Sequence, residues 1–344
     1  MAKPKLALYW AAACGGCDVA VLDTNEKILD IANLVDIVFW PIAVDFKYHH
    51  VRAMANKSID LCLFNGAIRS TEQEEIAKLL REKSKVMVAF GACACFGGIP
   101  GLANLYSREE IMERAYQETP STVNPKKTMP QERTTIKEGV LELPEFWESV
   151  KPLDQVIKVD YYLPGCPPTP DLIANAMTAI LSGNLPPTGS TLAPAKSLCD
   201  VCPRKETKPE KLMMKEVKRP WQVKMDPEKC FLAQNIICMG PATRAGCGET
   251  CIRGNQPCRG CFGPVEGIRD QGAKAVSMIA SILGVENEDH LTDEQVEKLI
   301  GQVCDPAGTF YRFTLPSSLL RRKKVKDVSN KTGKMKEAVE AVKA

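Results

Sequence analysis

Eight cysteines fall between Cys199 and Cys261, in a stretch that is also rich in glycine and proline. That composition leaves too few apolar side chains for a large hydrophobic core, so something else must hold the stretch together. Thiolate ligands to metal can do so, because the free energy of metal binding then contributes to folding. Eight thiolates make two sets of four, and the eight are Cys199, Cys202, Cys230, Cys238, Cys247, Cys251, Cys258 and Cys261.

Two kinds of metal centre compete for these ligands, because zinc and four-iron clusters both take four thiolates. Zinc ribbons usually pair two Cys-x-x-Cys knuckles, whereas intervals of 2, 27, 7, 8, 3, 6 and 2 residues separate these cysteines. Prolines adjoin Cys202 and Cys258, as in ferredoxin-type sites. The spacing favours iron–sulfur clusters, and a zinc-stabilised interaction module is the alternative from another functional class.

The first half of the chain alternates strand and helix patterns, which implies a parallel sheet covered on both faces. We therefore predict an α/β fold, in which a flavodoxin-like parallel-sheet domain precedes a loop-rich iron–sulfur cluster domain. The predicted strands are Leu6–Trp10, Asp36–Trp40, Leu61–Phe64, Val86–Phe90 and Val156–Leu163, and the predicted helices are Val19–Asn33, Thr71–Glu82, Arg108–Gln117 and Pro170–Leu181.

Three cysteine-bearing motifs follow strands of this predicted sheet. Cys14 and Cys17 follow the first strand, and Cys93 lies in a glycine-rich element after the fourth. Cys166 lies in a Pro-Gly-Cys-Pro-Pro element after the fifth. Because ligands bind where the carboxyl ends of parallel strands meet, the four thiolates can converge on one four-iron cluster. A thioredoxin-like redox pair at the first motif is the alternative, and it leaves the other two motifs unexplained.

Three further cysteines have weaker signals. Cys62 sits in an apolar strand pattern and is interpreted as a buried core thiol. Cys95, two residues after Cys93, could replace it as a ligand. Cys304 lies outside every motif and is assigned no role.

Composition divides the chain into four segments. The sheet domain with the first cluster site spans residues 1–183, and a proline-rich linker spans 184–198. Residues 199–264 form the domain of the other two sites, and residues 265–344 carry C-terminal helices and a basic tail. Inside these segments we predict a long loop and two helices, at Thr119–Pro144, Val265–Leu283 and Thr292–Val303, and a solvated tail that contains Arg321, Arg322, Lys323, Lys324 and Lys326.

Charge and hydropathy exclude several functional classes. A formal net charge of +3 gives no strong field that would favour nucleic acid. No apolar stretch reaches the roughly 18–20 residues that span a bilayer, and a strand pattern stands where a leader would be. We expect a cytoplasmic protein that does not span a membrane. There, 15 cysteines indicate metal or redox chemistry, not disulfides.

Taken together, the motifs resemble those of [NiFe]-hydrogenase small subunits, over about residues 4–265. The Cys-x-x-Cys pair, the Gly-Ala-Cys-Ala-Cys-Phe-Gly-Gly element and the Pro-Gly-Cys-Pro-Pro element are similar, in order, to that family's proximal-cluster motifs. Cys238-Met-Gly-Pro and Pro-Cys258-Arg-Gly-Cys261 resemble its final elements. The resemblance is strongest to the cytoplasmic, methyl-viologen-reducing type found with heterodisulfide reductase.

The resemblance implies three [4Fe–4S] clusters and divides the ligands among them, with Cys93 and not Cys95 at the proximal cluster. Cys199 stands where many members have histidine, and Cys251 where periplasmic members have proline and a three-iron medial cluster. Both thiolates would lower the cluster potentials. The implied ligands are Cys14, Cys17, Cys93 and Cys166 for the proximal cluster, Cys199, Cys202, Cys230 and Cys238 for the distal cluster, and Cys247, Cys251, Cys258 and Cys261 for the medial cluster.

The resemblance also implies an electron-transfer subunit that is not catalytic alone. This chain has no nickel-binding pattern, and its only histidines are His49, His50 and His290. The nickel–iron centre would lie in a partner large subunit. Electrons from dihydrogen would pass through the three clusters to a [2Fe–2S] subunit and heterodisulfide reductase. Gly16 and Gly98 stand where oxygen-tolerant members carry extra cysteines, which implies oxygen sensitivity.

Two related interpretations stay open. The small subunit of a deazaflavin- or NADP-reducing hydrogenase would share the clusters, but the chain has no Gly-x-Gly-x-x-Gly fingerprint, so such a cofactor would bind a partner. The cluster subunit of a respiratory NADH dehydrogenase shares the proximal site and the fold. It needs one cluster only, which leaves the eight later cysteines unexplained.

Overall fold

A computed structural model describes residues 3–284 and 292–320. Its strands are β1 (Lys5–Trp10), β2 (Asp36–Phe39), β3 (Ile59–Asn65), β4 (Ile68–Ser70), β5 (Ser84–Phe90), β6 (Arg133–Ile136), β7 (Gly139–Glu142), β8 (Phe146–Lys151) and β9 (Tyr161–Leu163). Its helices are α1 (Gly16–Leu22), α2 (Lys27–Leu34), α3 (Tyr48–Ala53), α4 (Thr71–Lys83), α5 (Gly91–Phe96), α6 (Arg108–Glu113), α7 (Pro170–Leu181), α8 (Leu198–Val201), α9 (Thr250–Arg253), α10 (Gln271–Ile282), α11 (Asp293–Gly301) and α12 (Pro306–Phe310).

Five strands form one parallel sheet in the order β2-β1-β3-β5-β9. Successive residues of a strand face opposite sides, so each row of paired residues belongs to one face. The row of Ala7, Cys62 and Met87 lies in the core on one side, which α4 covers. The next row belongs to the core on the other side, where α1 and α7 pack, and it consists of Leu8, Leu63 and Val88.

The predicted α/β fold with a parallel sheet is confirmed, and four element predictions need correction. The predicted helix Val19–Asn33 is two helices, because the chain turns between α1 and α2 at Asn25, whose φ is 54°. The predicted strand Val156–Leu163 is paired only over β9, after a 3₁₀ turn at Leu153–Gln155.

The other two corrections concern segments that have weak periodicity. The predicted loop Thr119–Pro144 contains the β6–β7 hairpin, which turns at Lys137 and Glu138 and is exposed on both strands, so no apolar alternation marked it. The predicted helix Val265–Leu283 begins only at α10, because the Asp270 side chain accepts a hydrogen bond from the Ala273 amide and caps it there.

The cysteine-rich stretch shares a third apolar core with the helices that follow it. Phe231 and Ile252 of the loops pack in the same cluster as Ala275, Ile279 and Phe310. The loops therefore pack against α10 and α12, which contribute to their apolar core. The basic residues Arg321 to Lys326 lie outside the described residues.

Arg204 ties together the loops of the cysteine-rich stretch, although it is 4% exposed. Its guanidinium donates to the carbonyls of Asp226, Lys229 and Ile252 and to the Asn255 side chain. It also lies 4.2 Å from the centre of the Phe231 ring. One buried cation thus satisfies carbonyls from loops that no sheet connects.

We expect Arg204→Ala to destabilise the protein by about 2–4 kcal/mol, because it leaves several buried acceptors unpaired. Thermal unfolding of the anaerobically purified protein measures the loss. The matched control is Arg253→Ala, whose exposed guanidinium donates to the Gly248 carbonyl and the Glu249 carboxylate of its own turn. Equal melting temperatures for the two variants would show that Arg204 does not hold these loops.

Candidate metal-cluster sites

The proximal set, Cys14, Cys17, Cys93 and Cys166, converges at the carboxyl ends of the parallel strands. Cys14 and Cys17 lie at the β1–α1 junction, Cys93 in α5 directly after β5, and Cys166 after β9. Burial raises the pKa of the Cys17 thiol, and the nearby thiols of Cys93, Cys166 and Cys14 raise it further. Burial also raises the pKa of Cys93 to about 12, with Cys166 and Cys14 as its thiol neighbours. The structure therefore brings the four together.

Glycine backbones leave the space around these sulfurs open. Gly91 has a φ of 85°, and a Cβ there would lie 2.2 Å from the Cys17 Sγ. Gly98 has a φ of 56°, and a Cβ there would lie 2.5 Å from the Cys93 Sγ. Both positions need glycine for conformation and for space. Backbone that approaches thiolates this closely suits a cluster, whose sulfurs accept hydrogen bonds from nearby amides.

A buried carboxylate adjoins the proximal set. Asp18 follows Cys17 in α1 and is 1% exposed. It accepts hydrogen bonds from Trp40 Nε1 at 2.9 Å and from Asn65 Nδ2 at 2.6 Å. The Asn65 Oδ1 atom finds no partner in the described part of the chain. The sequence motifs did not indicate Asp18, although its place directly after the Cys-x-x-Cys pair is a signal that could have done so.

The distal set, Cys199, Cys202, Cys230 and Cys238, lines one small cavity of about 20 Å³. Burial raises the pKa of Cys199 to about 12, and Cys238, Cys202 and Cys230 raise it further. Gly240 lies in the same wall, where a Cβ would be 3.3 Å from the Cys199 Sγ and 3.5 Å from the Cys238 Sγ. All four thiols therefore face one enclosed space.

The medial set, Cys247, Cys251, Cys258 and Cys261, contacts both of the others. Burial raises the pKa of Cys261 to about 12, and the thiols of Cys247, Cys166 and Cys251 raise it further. A backbone hydrogen bond from Cys166, in the proximal set, lowers it. Cys261 therefore lies near Cys166, a candidate proximal ligand.

On the other side of the medial set, Cys258 lies near Cys238 of the distal set. Burial raises its pKa well above the ordinary value, and the strongest thiol neighbour is Cys238 of the distal set, followed by Cys261. A backbone hydrogen bond from Cys258 lowers the pKa of Cys238, and the Met239 amide donates to the Cys258 carbonyl at 3.0 Å. The three sets thus stand in the order proximal, medial, distal.

Of the remaining cysteines, Cys95 lies beside the proximal set, with Cys17 and Cys93 as thiol neighbours. Cys62 is fully buried in β3. Cys95 donates to the Ala89 carbonyl at 3.2 Å and packs in the sheet core. Cys304 is exposed. The rings of His49 and His50 lie 4.0 Å apart in α3, and His290 falls outside the described residues.

Each set offers four thiols, of which Cys14, Cys166 and Cys251 are exposed and the others half-buried or buried. Glycine backbone lies beside the sulfurs in two of the three sets, which fits a four-iron cluster. Within residues 3–284 and 292–320, no three His, Cys, Asp or Glu side chains are placed to hold a single metal ion. No helix of the described residues is long and apolar enough to cross a bilayer.

Comparison with known proteins identifies relatives along nearly the whole chain. The iron-sulfur subunit of the F420-non-reducing hydrogenase of Archaeoglobus profundus is 44% identical over 324 residues, which are 93% of this chain and 98% of the relative. The corresponding subunit of the F420-non-reducing hydrogenase of Methanothermobacter thermautotrophicus is 40% identical over 322 residues, which are 93% of this chain and 97% of the relative. The chain belongs to the family of [NiFe]-hydrogenase small subunits.

Two further comparisons describe parts of this small subunit. The family model described as NADH ubiquinone oxidoreductase, 20 Kd subunit, matches residues 14–180, which contain the proximal set. A chain of the [NiFeSe] hydrogenase from Desulfovibrio vulgaris Hildenborough superposes with a TM-score of 0.51 and 19% identity, covering 78% of this chain and 95% of that one. At that identity the likeness shows the fold alone.

Gly98→Ala tests whether the open space beside Cys93 holds a cluster. We expect the variant to lose roughly four iron atoms per chain, the content of one four-iron cluster, because the added Cβ meets the sulfur. The control is Gly183→Ala, which has a similar φ of 71° but nothing within 4 Å of the added Cβ. Iron analysis separates the two, and equal iron in both variants would contradict the proximal site.

Asp18→Ala is expected to destabilise the protein by roughly 2–4 kcal/mol, because the Trp40 and Asn65 donors then stay buried without an acceptor. The exposed Asp36 offers a control with the same substitution. Thermal unfolding and tryptophan fluorescence measure the difference. Unfolding at the control's temperature would mean that the carboxylate does not anchor this junction.

Proposed function

We propose that this small subunit carries three [4Fe–4S] clusters and conducts electrons from dihydrogen oxidation in a partner large subunit to a further redox subunit. The observation that supports the proposal is the position of the medial set, which contacts the proximal set at Cys261 and the distal set at Cys258. Clusters held there would form one continuous path along which single electrons pass from cluster to cluster. Clusters in branched or isolated positions would not form such a path.

The proposed ligands are the three sets named above, with Cys93 and not Cys95 at the proximal cluster. Cys93 has Cys166 and Cys14 as its thiol neighbours, whereas the Cys95 thiol hydrogen bonds to the Ala89 carbonyl. When bound, each cluster would accept and release one electron at a time. The chain itself holds the sulfurs at fixed positions, excludes water from Cys17, Cys238 and Cys258, and supplies amide donors.

We infer the rest of the assembly from the family resemblance. A nickel–iron centre in a large subunit would split dihydrogen, because the described part of this chain has no nickel site of its own. The archaeal relatives are named as hydrogenases that do not reduce F420, which favours another acceptor. We place a [2Fe–2S] subunit and heterodisulfide reductase after the distal cluster, and the complex in the cytoplasm, where free thiols persist.

Two features argue against the alternative that this chain is the one-cluster subunit of an NADH dehydrogenase. The family model of the NADH dehydrogenase subunit ends at residue 180, before the eight later cysteines. Those eight thiols lie close to one another, and a one-cluster subunit would not need them. Gly98 leaves no room for an extra cysteine beside Cys93, which supports the expected oxygen sensitivity.

Anaerobic co-purification of the tagged small subunit tests the proposal. We expect a nickel-bearing large subunit and about twelve iron atoms per small subunit. Optical and EPR spectra before and after reduction with dihydrogen confirm that the iron belongs to clusters. Zinc in place of iron would support the interaction-module alternative, and about four iron atoms per chain would support the one-cluster alternative.

Cys251→Pro tests the division of the later ligands. We expect a three-iron medial cluster with a raised potential, seen as a new EPR signal in the oxidised protein and about eleven iron atoms per chain. Cys304→Ser, which changes an exposed cysteine outside the three sets, serves as the control. An unchanged EPR spectrum in Cys251→Pro would show that this residue is not a cluster ligand.

A further inference from the structure

A basic cavity opens beside the medial and distal sets. Its volume is about 70 Å³, and its lining includes Lys218, Arg219, Trp221, Cys258, Arg259 and Arg312. Cys258 belongs to the proposed medial ligands, and Met239, which follows Cys238, lies in the same wall. The cavity therefore reaches from the surface to the point where the medial and distal sets meet.

Three arginines bring positive charge to this cavity, and Asp305 offsets part of it. Burial lowers the pKa of Arg312, the nearby Arg259 lowers it further and Arg219 adds to this, while Asp305 opposes them. The Asp305 carboxylate also accepts a hydrogen bond from the Gly308 amide at 2.8 Å. Among the described residues, no carboxylate forms an ion pair with any of the three arginines.

Trp221 marks the rim of the cavity as a contact surface. It is 78% exposed, and the Arg219 guanidinium lies 5.8 Å from the centre of its ring. Exposed tryptophan and arginine dominate the binding energy of protein interfaces, because they bury large areas and hydrogen bond at the same time. A small anion would use the arginines but would leave the tryptophan uncovered, so the lining favours a protein.

We propose that the basic cavity is the docking site for a carboxylate-bearing segment of a redox partner protein. The inference rests on the proposed function, because the partner needs clusters at the medial and distal sets with which to exchange electrons. Carboxylates of the partner would pair with Arg219, Arg259 and Arg312, while an apolar side chain covers Trp221. The partner's own redox centre would then face the junction of Cys258 and Cys238.

Electron transfer from the dihydrogen-reduced complex to an acidic two-cluster ferredoxin, used as the probe, tests this docking. We expect Arg219→Glu to raise the KM for ferredoxin roughly tenfold at low ionic strength with kcat nearly unchanged, because rim charges act mainly on association. The difference should shrink above about 0.1 M salt, where the Debye length falls below about 10 Å. Reduction of methyl viologen, a small cation, should not fall.

The matched control is Arg133→Glu, which makes the same charge change on the exposed β6–β7 hairpin. Trp221→Ala is a second variant, expected to raise the ferredoxin KM severalfold without the salt dependence. The proposal would be overturned if Arg219→Glu and Trp221→Ala both behaved like the control. Loss of the large subunit from either variant would also overturn it, since the cavity would then belong to that interface. Iron and viologen activity of the unaltered complex test the proposed function separately.

Discussion

The parallel strands end at one edge of the sheet, and this edge positions the proximal thiols. The positions of the medial and distal thiols depend on that edge in turn. The three junctions after β1, β5 and β9 are far apart in sequence, yet the strand order brings them within contact of one another. Because the sheet is buried on both faces, its apolar rows fix the register and therefore the position of each junction. Cys17 and Cys93 can then be buried at junctions that the sheet itself holds in place.

The cysteine-rich half depends on that edge in a different way. It has no sheet among its described residues, so single side chains replace the strand ladder, with Arg204 joining the loops of the distal set and Gln271 donating to the carbonyls of Gly260 and Gly263. The contact between Cys166 and Cys261 attaches the medial set to the sheet domain. A buried cation and a buried amide are costly unless fully paired, which is why both make several hydrogen bonds.

Much of this arrangement could be predicted from the sequence, because hydrophobic alternation and cysteine spacing are local signals. The parallel α/β sheet and the convergence of Cys14, Cys17, Cys93 and Cys166 followed from them. The β6–β7 hairpin could not be predicted in this way, because both of its strands are exposed and their sequences show no alternation of apolar and polar residues. Asp18 and Arg204 were missed for another reason: their partners, Asn65 and Asn255, are about fifty residues away in sequence, and only the fold brings them together.

The proposed path of electrons depends on three clusters that stand in line, with the medial cluster between the other two. Quantitative EPR of the fully reduced anaerobic complex decides whether they do. We expect about three electron spins per small subunit, with magnetic splitting of the medial signal by both neighbours, because the medial thiols contact both other sets. A single spin per chain, or three spins without any mutual splitting, would contradict this arrangement.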